Sequence, residues 1–309
     1  MRKNLLLLSG IAILLSSALF SCTFEELGGS NTYPTPPETV IRSEVRISSN
    51  IVKKTTTLVH EAGRAWKTGD SIGVFMFEKD NLSIVDGKTN VKYAAVNSGY
   101  NSTFNAINET VYFPDNEDDV RFMSYYPYSV SIWNYICKLD VRNQIPQSDI
   151  DFLYSFDTLT TYNKTFGGNR VPISFDHQMS KIYINVKPGA GLQGYDIAHM
   201  TVAISGLPAK ADFNLLTEEI SNYTGVSTIT PSVIIAGKGN SYSGEAIVLP
   251  TSGISGAKIT FLMSDGKVYS WPLDKELKKG TIYTFDVTIS GTGITATTKT
   301  NHWNGFKMS

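Results

Sequence analysis

Cys22 stands in the setting that most directly implies chemistry. Leu19-Phe20-Ser21-Cys22 puts a thiol after a small residue, behind an apolar run from Leu5 to Leu15 and the basic pair Arg2 and Lys3. A thiol is a nucleophile that can accept a diacylglycerol group, and its amine can be acylated once the preceding peptide is cut. The tetrapeptide closely resembles a bacterial lipobox, so residues 1–21 read as a lipoprotein signal peptide and Cys22 as the lipid attachment site. The apolar run falls short of the roughly 20 residues a bilayer span requires, which favours a cleaved signal over a membrane helix. Several acyl chains on one residue, at about 0.8 kcal/mol per buried methylene, make a stable anchor in the outer membrane. Glu25 and Glu26 resemble acidic surface-export signals of some Gram-negative lipoproteins. An ordinary signal peptide with a chance cysteine is the plainer alternative.

Other residue groups look chemical and have structural readings beside them. Asp115-Asn116-Glu117-Asp118-Asp119 offers oxygens at alternating positions, like the start of a calcium loop. Val120 occupies the place of the loop glycine and Tyr126 that of the bidentate glutamate, so a solvated turn is favoured and no metal is expected. His177 beside Asp176 suggests an acid–base pair, yet strand neighbours point to opposite faces. Cys137, within Tyr135-Ile136-Cys137, reads as a buried inert thiol. Trp133, Tyr125, Tyr126 and Tyr128 could stack on sugars if exposed together, though aromatics in strands are more often core. Asp70-Ser71-Ile72 and Asp157-Thr158-Leu159 resemble an O-glycosylation acceptor pattern of some periplasmic systems, with Asp70 also suited to a turn. No G-x-S-x-G elbow, Walker loop, H-E-x-x-H or C-x-x-C occurs, so no catalytic residue and no cofactor is expected.

Composition agrees. The 309 residues carry 27 Lys plus Arg against 28 Asp plus Glu, a net charge of −1 without the basic excess of a nucleic-acid binder. A hydrophobic fraction of 41% supports real cores, and charged residues at 18% leave room for Ser, Thr, Tyr, Asn and Gly, which favour strands and turns.

The elements that must position these residues are strands. Residues 22–42, with Gly28-Gly29-Ser30 and Pro34-Thr35-Pro36-Pro37, read as a tether. Period-two alternation then marks Ser43 to Ile51 (Val45, Ile47, Ile51), Ile72-Val74-Met76 after the Gly69-Asp70 turn, and Val120 to Tyr125. A second series opens at Val171, Ile173 and Phe175. It continues through Lys181 to Val186, Met200-Val202-Ile204 and Ile259-Phe261-Met263, and closes with Tyr283 to Ile289. Asn163, Gly167, Gly168 and Asn169 mark a boundary within 160–170, giving sandwich domains over 43–170 and 171–309. Asp274 to Lys279 could form one helical turn ended by Gly280.

Trp66-Lys67-Thr68-Gly69-Asp70-Ser71-Ile72-Gly73-Val74-Phe75 resembles the W-x-x-G-D-x-I-G-V-F signature of fimbrillin-like proteins (type V pilins). Tyr112-Phe113-Pro114, Val120-Arg121-Phe122, Tyr125-Tyr126-Pro127, Asp151-Phe152-Leu153-Tyr154 and Phe175 to Lys181 resemble later blocks in the same order. Gly280 to Phe285 and Trp303 fit the last ones. The resemblance spans about 40–305. It implies an all-β fold of two transthyretin-like β-sandwich domains in tandem, and a surface fimbrial subunit or pilus-associated adhesin or anchor (stalk, base or tip) that joins other fimbrial subunits by β-strand exchange. In such proteins cleavage after a basic residue removes the lipid-bearing segment and opens a groove. Arg42, Arg46, Lys53, Lys54 and Arg64 are the candidate processing sites, each also readable as a solvated cation. The strand at Ser43 to Ile51 is then expected to be an edge strand removable at modest cost, with Thr281 to Thr300 as the candidate donor. Few residues follow Trp303, which leaves little room for a long appended donor. The alternative is a non-polymerising surface lipoprotein that binds a glycan or host ligand.

Overall fold

The computed structural model describes residues 42–50, 65–99, 101–166, 169–236, 241–252 and 255–303. Cys22, Lys53, Lys54 and Arg64, with the signal peptide and all of the tether except Arg42, lie outside the described residues. Nine strands form in the first half: β1 Arg46–Asn50, β2 Ser71–Glu78, β3 Val91–Ala95, β4 Asn101–Ala106, β5 Val120–Tyr126, β6 Ile136–Asp140, β7 Leu153–Phe156, β8 Arg170–Pro172 and β9 Asp176–His177. Nine more follow: β10 Ser180–Pro188, β11 Thr201–Asn214, β12 Glu219–Ile229, β13 Ser232–Ala236, β14 Tyr242–Val248, β15 Lys258–Leu262, β16 Val268–Pro272, β17 Thr281–Ser290 and β18 Gly293–His302. One short α-helix, α1 Gly194–Ala198, and a 3-10 turn at Gln147–Asp149 accompany them among the described residues.

The first sheet has eight strands in the order β8-β1-β4-β3-β2-β5-β7-β9. Its two edge strands, β8 and β9, are separated in sequence by Ile173, Ser174 and Phe175 alone. That is a reach on the order of 14 Å at full extension, so the sheet must curl until its edges approach. Val45, Ile47, Ile72, Val74, Met76, Phe104, Phe122 and Phe175 fill the curl. Trp66 lies among them, edge-on to Phe104 at 4.9 Å, to Tyr126 at 5.5 Å and to Phe175 at 5.8 Å. The turn that delivers β2 is built as its residue types require. Gly69 takes φ +92, and the Asp70 carboxylate accepts the Lys67 N–H at 2.8 Å.

The second half makes two further sheets, β13-β14-β10-β17-β18 and β12-β11-β15-β16, with β6 from the first half also pairing β11. Ile182, Ile184, Phe285 and Val287 from one sheet share an apolar cluster with Val202, Ile204, Ile259 and Phe261 from the other, which makes an all-β sandwich. The same cluster takes in Phe75, Phe77, Tyr125 and Phe152 on the outer face of the first sheet. Phe152 and Tyr154 meet Phe213 of β11 at ring distances of 4.8 and 5.2 Å. Strand β2 is therefore buried on both faces, where alternation alone marked only Ile72, Val74 and Met76 as inward.

Three local expectations change. Val171, Ile173 and Phe175 belong to the core of the curled first sheet and do not open the second series, because β8 pairs β1 in parallel. Asp274 to Lys279 is not helical: Leu277 is buried and exchanges two backbone hydrogen bonds with Thr251, at 2.8 and 2.9 Å. Burying that leucine in a bridge outweighs the local preference for a turn of helix. Finally, β1 is not an edge strand. It pairs β4 on one side and β8 on the other.

Candidate functional site

Strand β1 occupies a slot. Its register against β4 runs from Ile47↔Phe104 to Asn50↔Asn101, and against β8 from Arg46↔Arg170 to Ser48↔Pro172. The approach to it is fastened by Val45 N–H to Val111 O at 2.8 Å and Phe113 N–H to Ser43 O at 2.9 Å. Val45 and Ile47 are fully buried, each worth about 1.5–3 kcal/mol on transfer from water. Extracting β1 thus costs more than the edge-strand reading implied. It would leave a groove with unpaired backbone on both walls.

Of the candidate processing cations, Arg42 and Arg46 are both exposed. The Arg42 guanidinium donates to Asp86 at 2.9 Å, lies 3.6 Å from Asp115 and sits over the Tyr112 ring at 4.8 Å. The hydrogen bond to Asp86 raises its pKa further above the ordinary arginine value. Arg46 lies 3.8 Å from Glu44 at the entry to β1.

The candidate donor divides in two. Strand β17 is held between β10 and β18, with Ile282, Tyr283, Phe285, Val287 and Ile289 buried, so it is fixed in its own sandwich. Strand β18 pairs β17 without a bulge from Thr281↔His302 to Ser290↔Gly293 and has no partner on its other side among the described residues. Its end is pinned. Trp303 is 3% exposed, donates its N–H to Gly280 O at 2.7 Å and stacks on His177 at 3.9 Å with the rings 13° apart.

The residues singled out for chemistry are dispersed. His177 turns away from Asp176 and pairs through Nδ1 with Asp151 at 2.7 Å, both side chains almost wholly buried. Asp176 is exposed. In the 115–119 turn, Asp118 takes Asn116, Asp119 takes Asn163 at 2.8 Å, and Glu117 lies 3.6 Å from Lys164. Burial pushes the Cys137 thiol up to about 12. Tyr125 and Tyr126 are buried, whereas Trp133 is 84% exposed beside a tight turn with Asn134 at φ +48 and Tyr135 at φ +60. The sugar-stacking group is therefore not assembled. A cleft of about 440 Å³ opens between the first sheet and the β11–β12 turn, lined by Phe156, Asp157, Tyr162, Asp176, Gln178 and Glu218.

A family model described as fimbrillin-like matches residues 55–303. The chain belongs to the fimbrillin-like family. A relative in Bacteroides uniformis named "Putative fimbrium subunit Fim1C" is 29% identical over 250 residues, 78% of this chain and 79% of the relative. The crystal structure of a "putative cell adhesion protein" from the same species superposes with a TM-score of 0.70 at 27% identity, covering 86% of this chain and 99% of that one. A second such protein, from Bacteroides ovatus, has a TM-score of 0.65 at 21% identity over 85% of this chain and 98% of that chain, and bears on the fold alone.

Seen in this fimbrillin-like fold, the quoted motifs are mostly packing devices. The signature tryptophan, Trp66, centres the curl, and the terminal Trp303 closes on His177. The Asp151–His177–Trp303 contact escaped the sequence reading, because its members are far apart in the chain. Strand alternation sets His177 apart from Asp176, as the sequence implies, but carries no sign of Asp151 across the fold.

Proposed function

We propose that this chain is a non-enzymatic fimbrial subunit, exposed at the cell surface and assembling with other subunits by β-strand exchange. The observation that carries the reading is β1: a five-residue strand in a two-walled slot, with Val45 and Ile47 filling the core beneath it. A strand of the same alternation from another copy has the chemistry to take that place, since the slot demands backbone pairing and apolar side chains at every second position. Before assembly the mature protein is anchored through lipid on Cys22. Cleavage after Arg46, Lys53, Lys54 or Arg64, or at Arg42 ahead of the strand, precedes exchange. The two-sandwich division into 43–170 and 171–309 is part of this reading. The eight-stranded sheet supports it, with the qualification that β8 and β9 complete the first sheet and β6 joins the second half.

The test is limited trypsin digestion followed by size analysis. Cutting near Lys53, Lys54 or Arg64 should release the β1 segment and make the trimmed protein oligomerise faster than intact protein. Trimmed protein that stays monomeric at high concentration rules out exchange through this slot. Mass spectrometry of the native N-terminus decides the anchor: an acylated Cys22 is expected, and an unacylated chain from the intact gene removes it. A second reading, a surface lipoprotein that binds a glycan or host ligand without polymerising, is favoured by Trp133, held in solvent at 84% exposure. Electron microscopy of cells with and without the gene separates the two: lost filaments support the first, unchanged filaments with lost ligand binding the second.

A further inference from the structure

The Asp-Ser/Thr-aliphatic triplet occurs twice, and the fold treats the two copies oppositely. Ser71 opens β2, its hydroxyl donates to Gly69 O at 2.9 Å, and Ile72 is fully buried in the curl. Ser71 is half-buried at the head of an interior strand with its hydroxyl engaged, so it offers a transferase no fully exposed acceptor turn. Asp157-Thr158-Leu159 instead follows β7 as an exposed turn. One Asp157 carboxylate oxygen accepts the Leu159 N–H at 2.9 Å and the Thr160 N–H at 3.2 Å, and the other accepts the Thr160 hydroxyl. This is an Asx-type turn closed by its own carboxylate. The Thr160 hydrogen bond holds the Asp157 carboxyl below the usual carboxylate range, so the turn stays charged and formed at neutral pH.

Within that turn the hydroxyls are not equivalent. Thr160 donates to Asp157, and Thr161 donates to Asp119 at 3.2 Å. Thr158 is exposed, and its hydroxyl makes no hydrogen bond among the described residues. Leu159 beside it is 91% exposed, so its side chain is free to be gripped by a second protein without loss of core packing. A nucleophilic oxygen, a fixed backbone and flanking carboxylate and aliphatic groups thus come together in solvent at one place. Bulky surface glycans require such a place.

We propose that Thr158 is an O-glycosylation site. The donor is a glycosyl diphosphate, and the catalyst is a transferase met after export. The Thr158 Oγ1 attacks the anomeric carbon of the donor. The new C–O bond forms as the anomeric bond to the diphosphate breaks, the diphosphate leaves with the bonding pair, and the hydroxyl proton passes to a base of the transferase. No electrons are gained or lost overall. Ser71, with the same triplet, is not modified.

Mass spectrometry of the full-length protein purified from its own host tests this. The tryptic peptide Asn143–Lys164 should carry sugar mass, localised to Thr158 by electron-transfer fragmentation, while the peptide Thr68–Lys79 containing Ser71 should be bare. Thr158→Ala should abolish the modification with an unchanged melting temperature, because the side chain holds no contact that folding needs. Thr158→Ser should retain it. A bare Asn143–Lys164 peptide from wild-type protein overturns the proposal, as does modification that persists in Thr158→Ala or appears on Ser71. These outcomes leave the strand-exchange reading untouched, since Thr158 takes no part in the backbone pairing of β1 with β4 and β8.

Discussion

At Gly73, a Cβ would stand 2.1 Å from Cε1 of Tyr125 and 2.6 Å from its Cζ. The ring has no freedom to yield: it is fully buried, its hydroxyl donates to Asn90 Oδ1 at 2.7 Å, and it accepts the Ser129 N–H at 3.1 Å. Burial also pushes the Tyr125 phenol up, so it stays a neutral donor across the physiological range. Gly73→Ala should therefore lower stability by about 1–3 kcal/mol through overpacking, read as a lower denaturant midpoint with an unchanged slope. An alanine variant as stable as wild type shows that the ring can move. Trp303 gives the opposite kind of test. Its indole is 3% exposed, against His177 and with the Lys181 Nζ 5.4 Å from its ring centre. Trp303→Ala leaves a cavity over a buried His–Asp pair and should cost about 3–5 kcal/mol, measured by equilibrium unfolding.

Among the strands, β1 and β18 are the two whose pairing decides what the molecule can exchange. The edge expectation for β1 failed on three residues, Arg170–Pro172, too short a segment to announce itself by alternation. Strand β18 keeps a free edge and is fastened to its neighbour partly by charge. Lys299 donates to Asp286 at 2.8 Å, and Asn185 of β10 donates to the same carboxylate at 2.9 Å. The Lys299 hydrogen bond, then that of Asn185, holds the Asp286 carboxyl below its ordinary value. A depressed carboxylate contributes stability that is present above the unfolded pKa, and this is lost as pH falls through the folded one. Because Lys299 is 69% exposed, solvent screening limits the pair to about 0.2–1 kcal/mol. Asp286→Asn should thus destabilise slightly at neutral pH and match wild type in acid below the carboxylate range, followed by amide exchange across Gly293–His302. A constant difference at all pH values contradicts the assignment.

Over the whole molecule, the two halves share one apolar cluster. Phe75, Phe77 and Tyr125 of the first sheet, Phe152 just before β7, Phe213 of β11 and Leu215 just after it belong to it together. Strand β6 adds a ladder from Ile136↔Asn214 to Asp140↔Lys210. Such continuity couples the unfolding of one half to the other. Urea unfolding should accordingly give coincident transitions from probes placed in each half. Phe213→Ala, which removes the ring between Phe152 and Tyr154, should shift both probes together by about 3–5 kcal/mol. Separate midpoints would show that the halves melt independently.

What the chain declares locally was legible without coordinates. Period-two alternation placed Ile72-Val74-Met76, Lys181 to Val186 and Tyr283 to Ile289 in strands, and Gly69-Asp70 in a turn, since side-chain period and turn chemistry act over a few residues. The ordered motifs from Trp66 to Trp303 sufficed to indicate the fimbrillin-like family and its all-β sandwich fold. The sequence could not say which strand lies beside which. That Phe75 and Phe77 are core, that Val171 and Phe175 close the first sheet, and that β1 is walled on both sides all depend on pairing between distant segments. The two Asp-Ser/Thr-aliphatic triplets are indistinguishable as text. Tertiary structure alone buries Ile72 and leaves Leu159 in water, because burial is a property of what packs on a residue and not of its neighbours in the chain.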